Sequence, residues 1–327
     1  MLFRIMIDRI KDLLLEVPEI AEWPHMADIV RGGRRKKDGT PCWEYPLLAC
    51  KAMGGHEDQA LPGMAATACL LNSVQLVDDL LDEDPKGLHH RIGVGHAANI
   101  AIAFQAAAYR VMEGVDLAPD RLAAAQGSLT RACLDTAVGQ NLDASGPPDG
   151  DPEEAYWRVS SAKTPPLFGT AFFLGALLGG ADEEKALAIE ALSGPIGRII
   201  QVGDDMTDAL ETPAKPDWNT RWNNLPILYA LVADHEEKAE FESLLDHVYE
   251  QPEALDEAQN ILVRSGAISY GMYQLIQNYQ QGRQDLAALD LPHPDELGIL
   301  LRNLTDPARQ LFPRLGLETP PELLDDP

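Results

Sequence analysis

The sequence predicts an all-α protein, built as one large helical bundle over residues 1–327. Apolar residues recur with helical spacing through most of the chain, whereas few stretches alternate with period two, as strands do. The longest stretch rich in Pro, Gly and Asp is 145–152, which is too short for a linker between domains. An apolar content of 45% is ample for one core. We therefore expect a single domain.

Ser, Asp and Pro mark the starts of the candidate helices, and Gly marks their ends. The first, 2–16, has an amphipathic pattern, whereas 166–180 is apolar enough to predict a core helix and ends at Gly179-Gly180. Facing helices of such a bundle can enclose a site. The candidate helices, in order, are 2–16, 20–31, 57–83, 95–113, 119–140, 152–162, 166–180, 183–193, 196–210, 223–234, 236–249, 254–281 and 294–303.

Charge and composition argue against several classes of protein. A formal net charge of −26 argues against nucleic-acid binding. No uninterrupted apolar run reaches about 18 residues, so no membrane span is expected, and the charged amphipathic N-terminus is unlike a signal peptide. The cysteines have no metal-binding spacing and fit a reduced, cytoplasmic protein.

Two clusters with the spacing D-D-x-x-D, each at the end of an apolar helical run, carry the clearest chemical signal: Asp78, Asp79 and Asp82, then Asp204, Asp205 and Asp208. Residues four apart share a face of a helix, so the first and last aspartate of each cluster point the same way. Carboxylates on one face repel each other, and a bound cation relieves that repulsion. All-oxygen ligands favour Mg²⁺, which typically bridges a few carboxylates to substrate phosphates. Two such faces are expected to hold a diphosphate through several Mg²⁺ ions.

Either cluster alone is also compatible with a solvated helix end, but the pair is harder to explain in that way. Neither cluster contains the D-x-D-x-D-G loop of an EF-hand. In so acidic a chain the few basic residues are informative, because an anionic substrate needs local positive anchors.

The two acid motifs, in this order and at this separation, resemble those of the trans-isoprenyl diphosphate synthases, the polyprenyl synthetase family. The resemblance covers roughly residues 25 to 312. Further segments resemble motifs of that family: G-Q-x-x-D at 139–143, Tyr156 before Lys163-Thr164, Gln201 before Asp204-Asp205, Asn224-Leu225-Pro226, and Ser265-Gly266 at the start of a C-terminal helix.

The resemblance implies an isoprenoid synthase fold with a central cavity, and a prenyltransferase that condenses an allylic diphosphate with isopentenyl diphosphate. It implies three Mg²⁺ ions, with Asp78, Asp82 and Asp204 as ligands, and we expect a homodimer. Lys163 and Lys215 are expected to contact the allylic diphosphate, although a lone lysine near a helix is usually solvated. The implied catalytic set is Asp78, Asp79, Asp82, Lys163, Thr164, Gln201, Asp204, Asp205 and Asp208. The implied substrate-binding set is Arg34, Arg35, Lys86, Arg91, Gln140, Lys215, Arg221, Ser73 and Val74.

The segment expected to bind isopentenyl diphosphate departs from the family pattern. The family's G-G-K-R-x-R-P corresponds to Gly32-Gly33-Arg34-Arg35 here, but no Arg-Pro follows at the expected distance. Arg34, Arg35 and Arg91 are the candidate replacements, while the run 34–37 is also compatible with a solvated loop. A terpene cyclase-like lyase, or a transferase to another acceptor, therefore stays open beside the condensing enzyme. A regulatory subunit of a heteromeric synthase is disfavoured by the intact acid motifs.

The residues four and five positions before the first acid motif line the product tunnel in the resembling family. Here they are Val74 and Ser73, which are small, and the preceding turn is not aromatic either. A bulky aromatic side chain would block the tunnel by volume exclusion. We therefore expect products of C20 or longer.

Overall fold

The computed structural model describes residues 2–32, 42–146, 149–314, 318–320 and 323. Every regular element among these residues is helical, which confirms the predicted all-α class. A short 3-10 helix spans Cys42–Glu44. The α-helices, in chain order, are α1 (Leu2–Leu15), α2 (Pro18–Ala21), α3 (Pro24–Gly32), α4 (Tyr45–Ala52), α5 (Glu57–Leu81), α6 (His89–Ile92), α7 (Val94–Glu113), α8 (Pro119–Ala144), α9 (Pro152–Lys163), α10 (Pro165–Leu178), α11 (Glu183–Glu190), α12 (Ser193–Leu210), α13 (Asp217–Thr220), α14 (Leu225–Val232), α15 (Lys238–Leu244), α16 (Pro252–Arg264), α17 (Ala267–Ala288), α18 (Asp295–Asn303) and α19 (Asp306–Arg314).

Two helices predicted as continuous are divided in the structure. The predicted helix 254–281 corresponds to α16 and α17, because the chain turns at Gly266, whose φ of 87° suits a glycine at a helix end. The predicted helix 20–31 corresponds to α2 and α3, and Pro24 at the start of α3 fits the first turn of a new helix. The sequence did not predict α4, α6, α13 or α19.

Helix α10 lies at the centre of the bundle and packs against α4, α5, α8, α11 and α12. Almost all its side chains are buried, as its apolar sequence predicts. A Cβ at Gly175 would overlap the backbone of Pro46, so glycine allows α4 to approach closely. The ring of Tyr45 stacks on Phe172, with centroids 4.8 Å apart. The unpredicted α4 thus covers one side of the core.

Helix α5 carries the first acid cluster at its C-terminal end and packs mainly against α7, α4 and α10. It begins with a capping box, in which the His56 and Gln59 side chains pair with backbone N–H groups. By length and composition it is the one helix among the described residues that could cross a membrane. Half of the window concerned is buried inside the bundle, as expected for a core helix.

Helices α12 and α17 join the main core to a smaller one. Val202 and Met206 of α12 belong to the main core, while Ala209 belongs to the smaller cluster built around Trp218 and Phe241. The C-terminal end of α12, which carries the second acid cluster, is therefore packed from two sides. Rigid packing of this kind suits a helix that has to present charged side chains in a fixed position.

Candidate active site

The first acid cluster crowds several carboxylates at the end of α5. Asp78 and Asp79 are half-buried in the last turn, and Asp82 caps the helix by donating its N–H to the Asp78 carbonyl at 2.9 Å. Partial burial raises the pKa of Asp82, and the neighbouring carboxylates, Asp78 first, raise it further, while Lys163 opposes them. The crowding predicted from the i,i+4 spacing is therefore present.

Lys163 is the basic residue that forms ion pairs at this cluster. It is the last residue of α9, and its Nζ lies 2.6 Å from Asp143 Oδ2 and 3.3 Å from Asp78 Oδ1. Burial by itself would lower the lysine pKa, but Asp78, Asp143 and Asp82 together raise it. Lys163 is therefore held charged and in place. Thr164 follows at the junction of α9 and α10.

The G-Q-x-x-D segment has a separate physical task for each of its three fixed residues. A Cβ at Gly139 would overlap the backbone of Ala162, so glycine lets α8 and α9 approach each other closely. Gln140 donates its Nε2 to Asp78 Oδ1 at 2.9 Å. Asp143 accepts from Lys163. The segment thus ties the lysine and the first acid face together.

We expect Gly139→Ala to lower the free energy of unfolding by about 1–3 kcal/mol, because the added methyl group overpacks a helix contact. The clash involves backbone atoms, including Lys163 N at 2.6 Å, which cannot rotate away. Denaturant unfolding of both proteins measures the loss. Gly127→Ala in the same helix is the matched control, because its Cβ would meet only Arg131 Nη1 at 3.6 Å. Equal stability changes in the two variants would contradict the close approach.

The second acid cluster is split between the surface and the interior. Asp204 is exposed and Asp208 is half-buried on one face of α12, whereas Asp205 is buried. Burial raises the pKa of Asp205 to about 7 although three hydrogen-bond donors favour its charged form: Tyr156 OH, the Leu225 N–H and Gln201 Nε2. Asp205 and Gln201, both in the predicted catalytic set, thus lie in an interior network.

The sequence did not single out Asp217, which lies within electrostatic reach of both Asp208 and Asp143. Burial raises its pKa to about 6; Asp208 and Asp143 raise it too, while Asn224 and Lys163 lower it. The pKa of Asp217 therefore depends both on Asp208 of the second acid face and on the ion pair of Asp143 with Lys163. Its only sequence signal is a position after Pro216 at the start of a short helix, which is common in proteins.

Among the described residues, no group of three or more His, Cys, Asp or Glu side chains is arranged to hold a metal ion by itself. Mg²⁺ usually takes only one or two carboxylates and completes its octahedron with water and phosphate oxygens. The oxygen donors of Asp78, Asp82 and Asp204 fit this hard cation. The arrangement therefore suits an ion that binds together with a diphosphate.

The other basic residues predicted to bind substrate lie at the edges of the site or outside the described residues. Lys215 forms an ion pair with Glu211 at 2.9 Å and lies within the electrostatic reach of Asp208. Arg221 pairs with Asp246 at 2.9 Å. Lys86 and Arg91 are exposed beyond the first acid cluster. Arg34 and Arg35 lie outside the described residues, so their role stays a prediction.

A mainly apolar cavity of about 100 Å³ lies between α5, α7, α8 and α10. Gln140, which holds Asp78, contributes to its wall. Ser73 and Val74, the predicted tunnel residues, line it one turn of α5 below the acid motif. The remaining lining residues come from α5, α7, α8 and α10: Leu70, Val77, Gln105, Ala132, Cys133, Thr136, Ala137 and Leu167.

An all-α bundle with two acid-bearing helices and a cavity below one of them defines the isoprenoid synthase class of fold. The chain belongs to the polyprenyl synthetase family, because the family model described as "Polyprenyl synthetase" matches residues 45–262, more than half of the 327 residues.

Known proteins share both sequence and fold with the chain. Geranylgeranyl diphosphate synthase of Mycobacterium tuberculosis is 30% identical over 223 residues, which are 63% of this chain and 61% of that protein. The chain matches about half of the length of further curated relatives.

Solved structures extend the likeness over nearly the whole chain. Polyprenyl synthetase from Streptomyces coelicolor A3(2) superposes with a TM-score of 0.75 at 21% identity, covering 90% of this chain and 95% of that one. Geranylgeranyl pyrophosphate synthase from Corynebacterium glutamicum, complexed with calcium and isoprenyl diphosphate, gives 0.71 at 24% identity, covering 93% and 96%. These structures share the fold.

Proposed function

We propose that the protein is a Mg²⁺-dependent prenyltransferase that condenses an allylic diphosphate with isopentenyl diphosphate into a prenyl diphosphate of C20 or longer. The observation that carries this proposal is that Lys163 lies between Asp78 and Asp143, while Gln140, which donates to Asp78, lines an apolar cavity. Such a site has a charged end for a diphosphate and an apolar end for a hydrocarbon chain. The family and the geranylgeranyl diphosphate synthase among the relatives support the same activity.

The charged end would promote departure of pyrophosphate. Asp78, Asp82 and Asp204 would hold Mg²⁺, which neutralises charge on the diphosphate and so favours cleavage of the C–O bond. Lys163 would donate hydrogen bonds to the same diphosphate, held in place by Asp143. The bond electrons leave with pyrophosphate. The complex of the Corynebacterium enzyme with calcium and isoprenyl diphosphate supports a divalent ion beside this type of ligand.

The apolar end would protect the allylic cation from water. Val74, Val77 and Leu70 contribute only apolar surface to this cavity. The alkene of isopentenyl diphosphate then forms the new C–C bond, and the proton lost from the condensed product goes to the departing pyrophosphate. The chain's own contribution here is exclusion of water and alignment of the two substrates.

Isopentenyl diphosphate is proposed as the second substrate, with Arg34, Arg35 and Arg91 as its anchors. Incubation with Mg²⁺ and allylic diphosphates from C5 to C20, with and without isopentenyl diphosphate, tests this. Consumption of isopentenyl diphosphate with longer products is the expected result. Turnover without it would favour the alternative, a terpene cyclase-like lyase or a transferase to another acceptor. Absence of any turnover would contradict the proposed function.

Ser73→Phe is expected to shorten the main product to C15 or less, because the added ring fills part of the cavity that the growing chain needs. Ser73 is buried and lines the cavity. Chromatography of the dephosphorylated products measures their length. Leu187→Phe, at an exposed position of α11, is the control and should leave product length unchanged. An unchanged distribution for Ser73→Phe would place the end of the tunnel elsewhere.

A cytoplasmic homodimer is the proposed form of the protein. Leu134 and Val138 lie four residues apart on one face of α8 and expose more than half of their surface, as does Ile102 on α7, so these apolar side chains are proposed to pack against a second copy. All four cysteines are free, which fits a reducing compartment. Analytical ultracentrifugation of the full chain at several concentrations tests the dimer, and a monomer throughout would contradict it.

A further inference from the structure

Asp205 is a buried carboxylate that joins three helices, although its neighbour Asp204 is exposed. Asp205 lies on α12 and is only 4% exposed. The Tyr156 hydroxyl of α9 donates to Oδ2 at 2.6 Å, and the Leu225 N–H at the start of α14 donates to the same oxygen at 2.8 Å. Gln201 Nε2, one turn earlier on α12, donates to Oδ1 at 2.7 Å. Both carboxylate oxygens are therefore committed to partners in the interior.

These bonds connect the helix of the site lysine to the helix of the second acid face. Lys163 follows Tyr156 by seven residues on α9, close to two helical turns, so the two share a face of the helix. Asp204 lies beside Asp205 on α12. The link is reinforced at α14, where Asn224 donates its Nδ2 to the Asp205 carbonyl at 2.9 Å.

We infer that Asp205 is a positioning residue and not a metal ligand: with Tyr156 it fixes α9 against α12, so that Lys163 and Asp204 address the same diphosphate. The link itself depends only on the observed contacts. Its effect on turnover rests on the proposed function. A displacement of about 1 Å in a catalytic group can cost on the order of 10²-fold in rate. A hydrogen bond that fixes the position of Lys163 relative to Asp204 should therefore have a measurable effect on turnover.

The Asp205→Asn variant distinguishes a positioning role of Asp205 from metal binding. In Asp205→Asn the amide oxygen can still accept from Tyr156 and Leu225, and the NH₂ can donate to Gln201 once that side-chain amide is turned. We expect this variant to lose less turnover than Asp204→Asn and less than Asp205→Ala, with an unchanged Mg²⁺ concentration for half-activation. Tyr156→Phe should lower kcat on the order of 10- to 100-fold, with a smaller change in KM. A loss in Asp205→Asn as large as in Asp204→Asn would overturn the inference.

Amide hydrogen exchange of the protein alone provides a readout that needs no activity. The Leu225 N–H should exchange at least about tenfold faster in Asp205→Ala and stay protected in Asp205→Asn. In Tyr156→Phe the C-terminal turn of α9 should lose protection, whereas Tyr279→Phe, which alters a buried tyrosine of α17, should leave it unchanged. Unchanged exchange in both Tyr156→Phe and Asp205→Ala would refute the link. A wild-type protein without turnover would refute the proposed function, and exchange would still decide the link.

A double substitution shows whether Tyr156 acts through the lysine. If it does, Tyr156→Phe combined with Lys163→Ala should be no slower than Lys163→Ala alone, because the misplaced group is already absent. Losses that multiply would mean that Tyr156 acts independently of Lys163 and would overturn that part of the inference.

Discussion

Replacing Asp78 or Asp204 with asparagine is expected to lower turnover of an allylic diphosphate on the order of 10²- to 10³-fold. Each substitution removes a charge proposed to hold Mg²⁺ and keeps the shape of the side chain. The fold should survive, because the loss of one carboxylate relieves repulsion within its acid face. At position 78 the amide oxygen can still accept from Gln140, and Lys163 keeps its bond to Asp143.

Steady-state kinetics over a range of Mg²⁺ concentrations measure this effect, and circular dichroism checks that the variants are folded. Glu83→Gln is the matched control: it removes a charge from an exposed position in the same acidic segment and should retain near wild-type rates. Mg²⁺ with inorganic pyrophosphate should also raise the melting temperature of wild type more than that of either variant. Full activity in EDTA, or wild-type rates in both variants, would contradict the assignment of these ligands.

The D-D-x-x-D spacing predicted which carboxylates share a helix face but not how each cluster divides between surface and interior. Because an α-helix has 3.6 residues per turn, Asp204 and Asp208 lie on one face, and Asp205 points about 100° away from Asp204. It does not say which direction is the interior. That depends on Tyr156 and Leu225, which lie far from Asp205 in sequence. Adjacent carboxylates were therefore predicted as one set, while the fold gives them different surroundings.

Contacts between distant segments account for the other differences. The G-Q-x-x-D segment was visible in the sequence, but the packing of Gly139 on Ala162 depends on how α8 and α9 meet. Helix α4 was missed because most of its eight residues are buried, so it lacks the polar face by which surface helices are recognised. Asp217 acquires its altered pKa only through burial and neighbours brought together by folding.

Lys163→Ala is expected to lower turnover with every allylic diphosphate by roughly 30- to 1000-fold, which corresponds to about 2–4 kcal/mol for removing a charge-assisted hydrogen bond from a half-buried site. That hydrogen bond should strengthen as negative charge develops on the departing pyrophosphate, so kcat should fall more than KM rises. Lys215→Ala should have the smaller effect, because Lys215 is more exposed and already pairs with Glu211 within its own segment.

Lys51→Ala is the matched control for the lysine of the site. The Lys51 side chain is 29% exposed, against 28% for Lys163, and it too forms an ion pair, with Glu296 at 2.9 Å. Both substitutions break a half-buried pair, so a loss of activity caused by instability alone should appear in both. A selective loss in Lys163→Ala, measured below the melting temperature of each variant, would identify the group that meets the diphosphate. If Lys163→Ala stays within about threefold of wild type, less than 1 kcal/mol, its place between Asp78 and Asp143 serves the packing of α8 and α9 only.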